Sequence, residues 1–96
     1  MDKQEILDTL KAEKPYLSEH FGLEEIALFG SFTRNAANEN SDIDLLVSLK
    51  KPSYSSLMGL YIYLEKKLNN KIDITRKGAH LSQRFMQHIN KDLIYV

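Results

Sequence analysis

The seven residues Ser41-Asp42-Ile43-Asp44-Leu45-Leu46-Val47 place the tightest condition on this chain. Their length and their Ile and Val content read as a β-strand. Alternation puts Asp42 and Asp44 on one face, with Cα atoms ~6.5 Å apart, and Ile43, Leu45 and Val47 on the other. A third aspartate, Asp73, lies between Ile72 and Ile74 in the short strand Ile72-Asp73-Ile74-Thr75, closed by Gly78. Aspartate is depleted in strands, and an ionised carboxylate buried without a partner among apolar side chains is costly. Either these aspartates point to solvent at strand ends or pair with Lys and Arg, or the three converge on divalent cations. An Asp-x-Asp embedded in an apolar strand, with a third Asp in another, favours convergence. Hard oxygen ligands suit Mg²⁺, which keeps several waters and pairs with substrate phosphates. Two such ions ~4 Å apart clamp the attacking and leaving oxygens of a phosphoryl or nucleotidyl transfer.

Phosphate needs a cradle, and Gly30-Ser31 follows directly on the apolar run Ile26-Ala27-Leu28-Phe29, a strand covered on both faces. Glycine permits close backbone approach to an anion, while the Ser31 hydroxyl and free N–H groups of a helical turn donate to it. Alone, Gly-Ser after a strand is an ordinary turn. No GxxxxGK[ST] or GxGxxG motif occurs, which excludes a P-loop and a dinucleotide fold.

The remaining pattern supplies helices. Asp2 and Glu5 read as a capping box; Ile6, Leu7, Leu10, Leu17 and Phe21 form a helical stripe that Pro15 should break or kink near Glu13, and Gly22 should end it. Pro52-Ser53 opens a second helix whose core face is expected to carry Tyr54, Leu57, Met58, Tyr61, Leu64 and Leu68, widened by Leu60 and Tyr63. Leu81, Phe85 and Ile89 suggest a last helix, and Leu93-Ile94-Tyr95-Val96 an edge strand. The order α-β-β-α-β-α-β implies an α/β (α+β) fold, a small mixed sheet with helices packed on it.

At 96 residues a single domain spanning 1–96 is expected. The absence of cysteine excludes disulfides and thiolate metal sites, and no apolar run is long enough to span a bilayer. Thirteen Lys and Arg balance thirteen Asp and Glu, so strong sequence-blind nucleic-acid binding is not expected. A small cytoplasmic protein is the expectation. His20, His80 and His88 have no mutual metal spacing and read as exposed helix residues.

Gly30-Ser31, ten intervening residues and Asp42-Ile43-Asp44 together read G-S-x10-D-x-D. This resembles the signature of the DNA polymerase beta nucleotidyltransferase superfamily. Leu28-Phe29-Gly30-Ser31-Phe32-Thr33-Arg34, with Ser41 to Val47, is most similar to its minimal nucleotidyltransferase (MNT) branch, which is little more than the catalytic palm. Lys71 to Thr75 falls where the family carries its third carboxylate strand. The resemblance implies that Gly30 and Ser31 hold the β,γ-phosphates of ATP, that Asp42, Asp44 and Asp73 bind two Mg²⁺ ions, and that Asp73 helps deprotonate the acceptor hydroxyl. Arg34 would neutralise phosphate charge. Where the family often has Ala-Arg-Gly and an acidic residue, this chain has Thr33-Arg34-Asn35-Ala36; Asn35 can adopt the left-handed conformation the glycine would use.

MNT proteins are commonly antitoxins of HEPN–MNT pairs, so the resemblance further implies AMP transfer from ATP to a tyrosine of a HEPN toxin. Superfamily members acting on RNA ends or aminoglycosides add a domain that presents the acceptor; almost nothing here follows the palm, so a partner protein is expected to present it. The apolar helix face with Leu60 and Tyr63 is a candidate docking surface or plain core. The contrasting expectation is a non-catalytic antitoxin that neutralises its partner by docking. A two-carboxylate hydrolase fits poorly, because its carboxyls would flank the substrate rather than sit side by side on one strand.

Overall fold

Asp2 and Glu5 cap the first helix reciprocally: the Glu5 N–H donates to Asp2 Oδ1 at 2.9 Å and the Asp2 N–H to Glu5 Oε1 at 3.1 Å. The computed structural model describes residues 1–96, and this capping box opens α1, Lys3–Phe21. Gly22 ends it at φ 69°, its N–H reaching the Leu17 and Ser18 carbonyls. Pro15 does not end the helix as expected. It and Lys11, whose carbonyl loses its helical donor, both lie on the solvent side, where water replaces the lost bond.

Three strands and two helices follow before the terminal strand. β1 (Leu23–Phe29) runs antiparallel to β2 (Ile43–Leu49), and α2 (Tyr54–Leu68) crosses to β3 (Ile72–Arg76), which lies parallel to β2. α3 (Gln83–Asn90) leads to β4 (Ile94–Tyr95), antiparallel to β1. The sheet order is β3-β2-β1-β4. This is the expected mixed α+β architecture. β2 begins two residues later than the sequence pattern suggests, so Asp42 stands just before the strand and Asp44 within it.

The two faces of the sheet differ. Ile26, Leu28, Ile43, Leu45, Val47, Ile72 and Ile74 pack against Ile6, Leu10 and Leu17 of α1 and Leu60, Leu64 and Leu68 of α2. On the opposite face, Ala27, Phe29 and Leu46 meet Ile89 of α3, with Phe85, Met86, Leu81 and Leu93 around them. α3 therefore covers β1 and part of β2, and the β2–β3 end of that face stays open. No polar or charged side chain is buried anywhere in the protein, so each buried Leu or Ile contributes its ~1.5–3 kcal/mol without a polar penalty beside it.

The helical stripe of α2 is rotated from the expected one. Leu60, Leu64 and Leu68 form its buried line, whereas Tyr54 is 80% exposed and Met58 39% exposed. Within the first turn of α2 only Leu57 packs on the core, Tyr54 points to solvent, and the Leu-rich line takes the interior. Leu60 is core rather than docking surface. Tyr63 is half-buried, stacked on Tyr16 of α1 with ring centroids 4.6 Å apart and hydrogen-bonded to Glu13. No helix is long and apolar enough to cross a membrane.

Candidate active site

Gly30 ends β1 and starts a helical turn. Its carbonyl accepts from the N–H groups of Thr33 (3.1 Å) and Arg34 (3.3 Å) and from Thr33 Oγ1 (2.7 Å). The Ser31 carbonyl accepts from the Ala36 N–H at 2.9 Å, and Phe32 anchors the turn in the main core. Asn35 exits at φ 57°, the left-handed conformation expected of it. The N–H groups of Ser31 and Phe32, first in the turn, have no acceptor within the protein. Such donors favour an anion.

Gly30 also touches the carboxylates. Its φ is 85°, and a Cβ built there would overlap the Asp44 carboxylate. Any other residue is disfavoured here on both grounds, because L side chains rarely adopt that conformation and a Cβ would have to push the Asp44 carboxylate aside. The phosphate-type turn and the acidic strand are thus in contact.

Asp44 is paired in register with Asp73 across the parallel β2–β3 ladder, which sets the strands about 4.8 Å apart and the two side chains on one face. Asp42 precedes Asp44 by two residues on the same side. Asp42 and Asp73 are exposed and Asp44 half-buried. The aspartates therefore lie on the open part of the sheet face rather than inside an apolar layer. Burial pushes the Asp44 carboxyl above the usual carboxylate range, and the charges of Asp73 and then Asp42 push it the same way, with Arg34 opposing them.

Arg34, brought near by the turn, donates from Nη1 to Asp92 Oδ2 at 2.7 Å, its own side chain 51% exposed. Asp92 lies in the turn after α3, 58 positions away in sequence, and no local pattern in the chain signals that pairing. A cleft of about 430 Å³ sits behind the turn, lined by Met1, Asp2, Phe32 and Asn35 among others and by none of Asp42, Asp44 and Asp73, while Asp42 lines a smaller one of about 310 Å³ with Asn70 and Lys71. The candidate site is an open acidic surface next to a donor-rich turn. His20, His80 and His88 are exposed, as expected, but only His20 and His88 lie on helices; His80 stands in the turn before α3.

The donor set fits a hard divalent cation. All three carboxylates are free of hydrogen-bond donors from the protein, and Asp44 and Asp73 are adjacent in register. As they stand, no three acidic or histidine side chains form a group that could hold a metal ion. Mg²⁺ requires no such group of three, since it retains waters and takes one or two carboxylates together with substrate phosphates.

Residues 11–96 match the family described as Polymerase beta, Nucleotidyltransferase. The chain is 41% identical over 93 residues to MJ0128 of Methanocaldococcus jannaschii, named as a candidate protein adenylyltransferase, covering 96% of this chain and 95% of that one. It is 36% identical over 94 residues to the protein adenylyltransferase MntA of Thermococcus cleftensis, covering 97% and 94%. Among solved structures, a candidate minimal nucleotidyltransferase superposes with a TM-score of 0.74 at 28% identity, covering 98% and 95%. A structure of tri-AMPylated Shewanella oneidensis HEPN toxin in complex with MNT antitoxin gives 0.58 at 20% identity over 97% of this chain and 66% of that one, a likeness of fold. The glycine turn, the in-register aspartates and the match over nearly the whole length agree: this chain belongs to the polymerase beta nucleotidyltransferase family.

Proposed function

We propose that this chain is a protein adenylyltransferase acting as an antitoxin in the cytoplasm, transferring AMP from ATP to a tyrosine hydroxyl of a HEPN-type toxin. The observation that carries this reading is the contact of the Gly30 turn with Asp44, itself in register with Asp73. Phosphate donors and cation ligands then meet at one point, as nucleotidyl transfer requires. The relatives named as adenylyltransferases and the AMPylated HEPN complex support the choice of a protein acceptor.

In this reading the Ser31 and Phe32 N–H groups and the Ser31 hydroxyl hold the β,γ-phosphates, with Arg34 adding positive charge. Asp42, Asp44 and Asp73 would hold two Mg²⁺ ions, which when bound neutralise the triphosphate and acidify the acceptor hydroxyl. Asp73, exposed on the edge strand, would help deprotonate the acceptor hydroxyl. The acceptor oxygen forms its bond to the α-phosphorus as the bond to the bridging oxygen breaks and pyrophosphate departs. The open face over Asp42 and Asp73 leaves room for a tyrosine carried by another protein.

The test is to incubate the protein with ATP, Mg²⁺ and the HEPN-type product of the neighbouring gene, then map the adduct by mass spectrometry. AMP on a partner tyrosine, absent when EDTA is present, is the expected result. An unmodified partner that is nevertheless inhibited at one-to-one stoichiometry would overturn catalysis in favour of docking.

A further inference from the structure

β3 is an edge strand, and it carries Asp73. Its inner side is held by β2: at its two ends the Ile43 N–H donates to the Lys71 carbonyl at 2.9 Å and the Lys77 N–H to the Val47 carbonyl at 2.7 Å. Its outer side would ordinarily be a row of unpaired backbone groups. Here α2 reaches over it. Tyr61 Oη accepts from the Ile74 N–H at 2.9 Å and donates to the Ile74 carbonyl at 3.3 Å, so one hydroxyl replaces a missing strand neighbour. One turn further on, Glu65 Oε2 accepts from the Ile72 N–H at 3.4 Å. The spacing matches: a helical turn advances about 5.4 Å and two strand residues about 6.6 Å. The outward N–H groups on both sides of Asp73, and the Ile74 carbonyl, are therefore satisfied from α2, while Asp73 lies in register beside Asp44.

We propose that Tyr61 is a positioning residue of the active site, bracing the edge strand through Ile74 so that Asp73 is held at its register opposite Asp44. This rests on the proposed function, in which Asp73 is a cation ligand and proton acceptor. Tyr61 touches neither reacting atom nor cation; it acts through the Ile74 backbone. An unbraced edge strand would let Asp73 drift from Asp44 without disturbing Gly30 or Ser31, so the loss should fall on cation binding and turnover rather than on ATP recognition.

The experiment compares wild type, Tyr61→Phe and Asp44→Asn as full chains. Mn²⁺ alone is titrated calorimetrically, Ile74 amide exchange is followed by NMR, and AMP transfer to the HEPN-type partner is resolved into kcat and KM for ATP. Phenylalanine keeps the ring's packing and removes only the hydroxyl. Tyr61→Phe should speed Ile74 exchange, weaken Mn²⁺ about tenfold, and lower kcat about 10- to 100-fold while KM for ATP stays within about twofold. Unchanged Mn²⁺ affinity and kcat would overturn the brace, whatever happens to Ile74 exchange or thermal stability. Should Tyr61→Phe lose its fold, Glu65→Ala tests the same brace from the Ile72 end and should weaken Mn²⁺ with a smaller loss of kcat; wild-type values there overturn it equally. If the wild type transfers no AMP, the proposed function fails, and the Mn²⁺ titration still decides the brace.

Discussion

At Gly30 two independent demands fall on one residue: a positive φ and the space occupied by the Asp44 carboxylate. Gly30→Ala should cost about 1–2 kcal/mol from backbone strain alone, and displacing Asp44 should abolish AMP transfer; denaturant unfolding and the transfer assay measure the two losses separately. Asp44 makes the opposite trade. Its carboxyl binds a proton more tightly in the folded protein than in the unfolded chain. Stability contributed by the protonated form is therefore lost as pH rises from the ordinary carboxylate range through the raised value. At neutral pH the metal-free site is a standing electrostatic cost. Asp44→Asn should raise the melting temperature of the metal-free protein at pH 7, lose the stabilisation that Mg²⁺ gives the wild type, and transfer no AMP. A melting temperature below wild type at pH 7 would show that Asp44 is structural. The strand positions of Asp44 and Asp73 and the turn at Gly30-Ser31 were legible from the sequence, because apolar runs and a glycine boundary mark where short strands lie and end; Asp42, expected in the strand, stands just before it. Asp92 was not legible, since its pairing with Arg34 depends on where α3 lands, which no local pattern encodes.

At the scale of elements, caps and strands followed from local chemistry, and the differences arose where tertiary contacts choose among local options. The Asp2–Glu5 box and Gly22 delimit α1 as their chemistry requires. Pro15 sits in its interior because the lost hydrogen bond faces water while Leu10 and Leu17 hold the helix on the sheet. α2 carries two plausible apolar lines, and only contact with the sheet selects Leu60, Leu64 and Leu68 over Tyr54 and Met58. Leu60→Ala should accordingly cost about 2–5 kcal/mol in urea unfolding, whereas Met58→Ala should stay within about 0.5 kcal/mol. The α1–α2 clamp has its own signature. The hydrogen bond to Glu13 pushes the Tyr63 phenol up to about 12. Its contribution is complete below the ordinary tyrosine value and is lost as pH rises through about 12. Ultraviolet titration should show one late-ionising tyrosine, and Glu13→Gln should bring it down.

Across the whole molecule, the fold assigns separate tasks to the two faces of one sheet. α1 and α2 fill one face and hold the strands; α3 covers β1 and leaves the β2–β3 end of the other face bare, and there Asp44, in register with Asp73, touches the Gly30 turn. The neutral net charge conceals this division, since the acidic cluster is local; in the proposed function, divalent cations are what would make it hospitable to a triphosphate. The mixed sheet and its order of elements were readable from apolar runs and their Gly and Pro boundaries. The bare end was not, because it depends on the short reach of an eight-residue α3. Label transfer from α-labelled ATP, with Mg²⁺, to the HEPN-type partner, measured side by side for wild type and Asp42→Asn/Asp44→Asn, tests nucleotidyl transfer at these aspartates most directly. Transfer by the wild type and none by the double variant is the predicted result; equal transfer by both would show that the nucleotide is handled elsewhere on the protein.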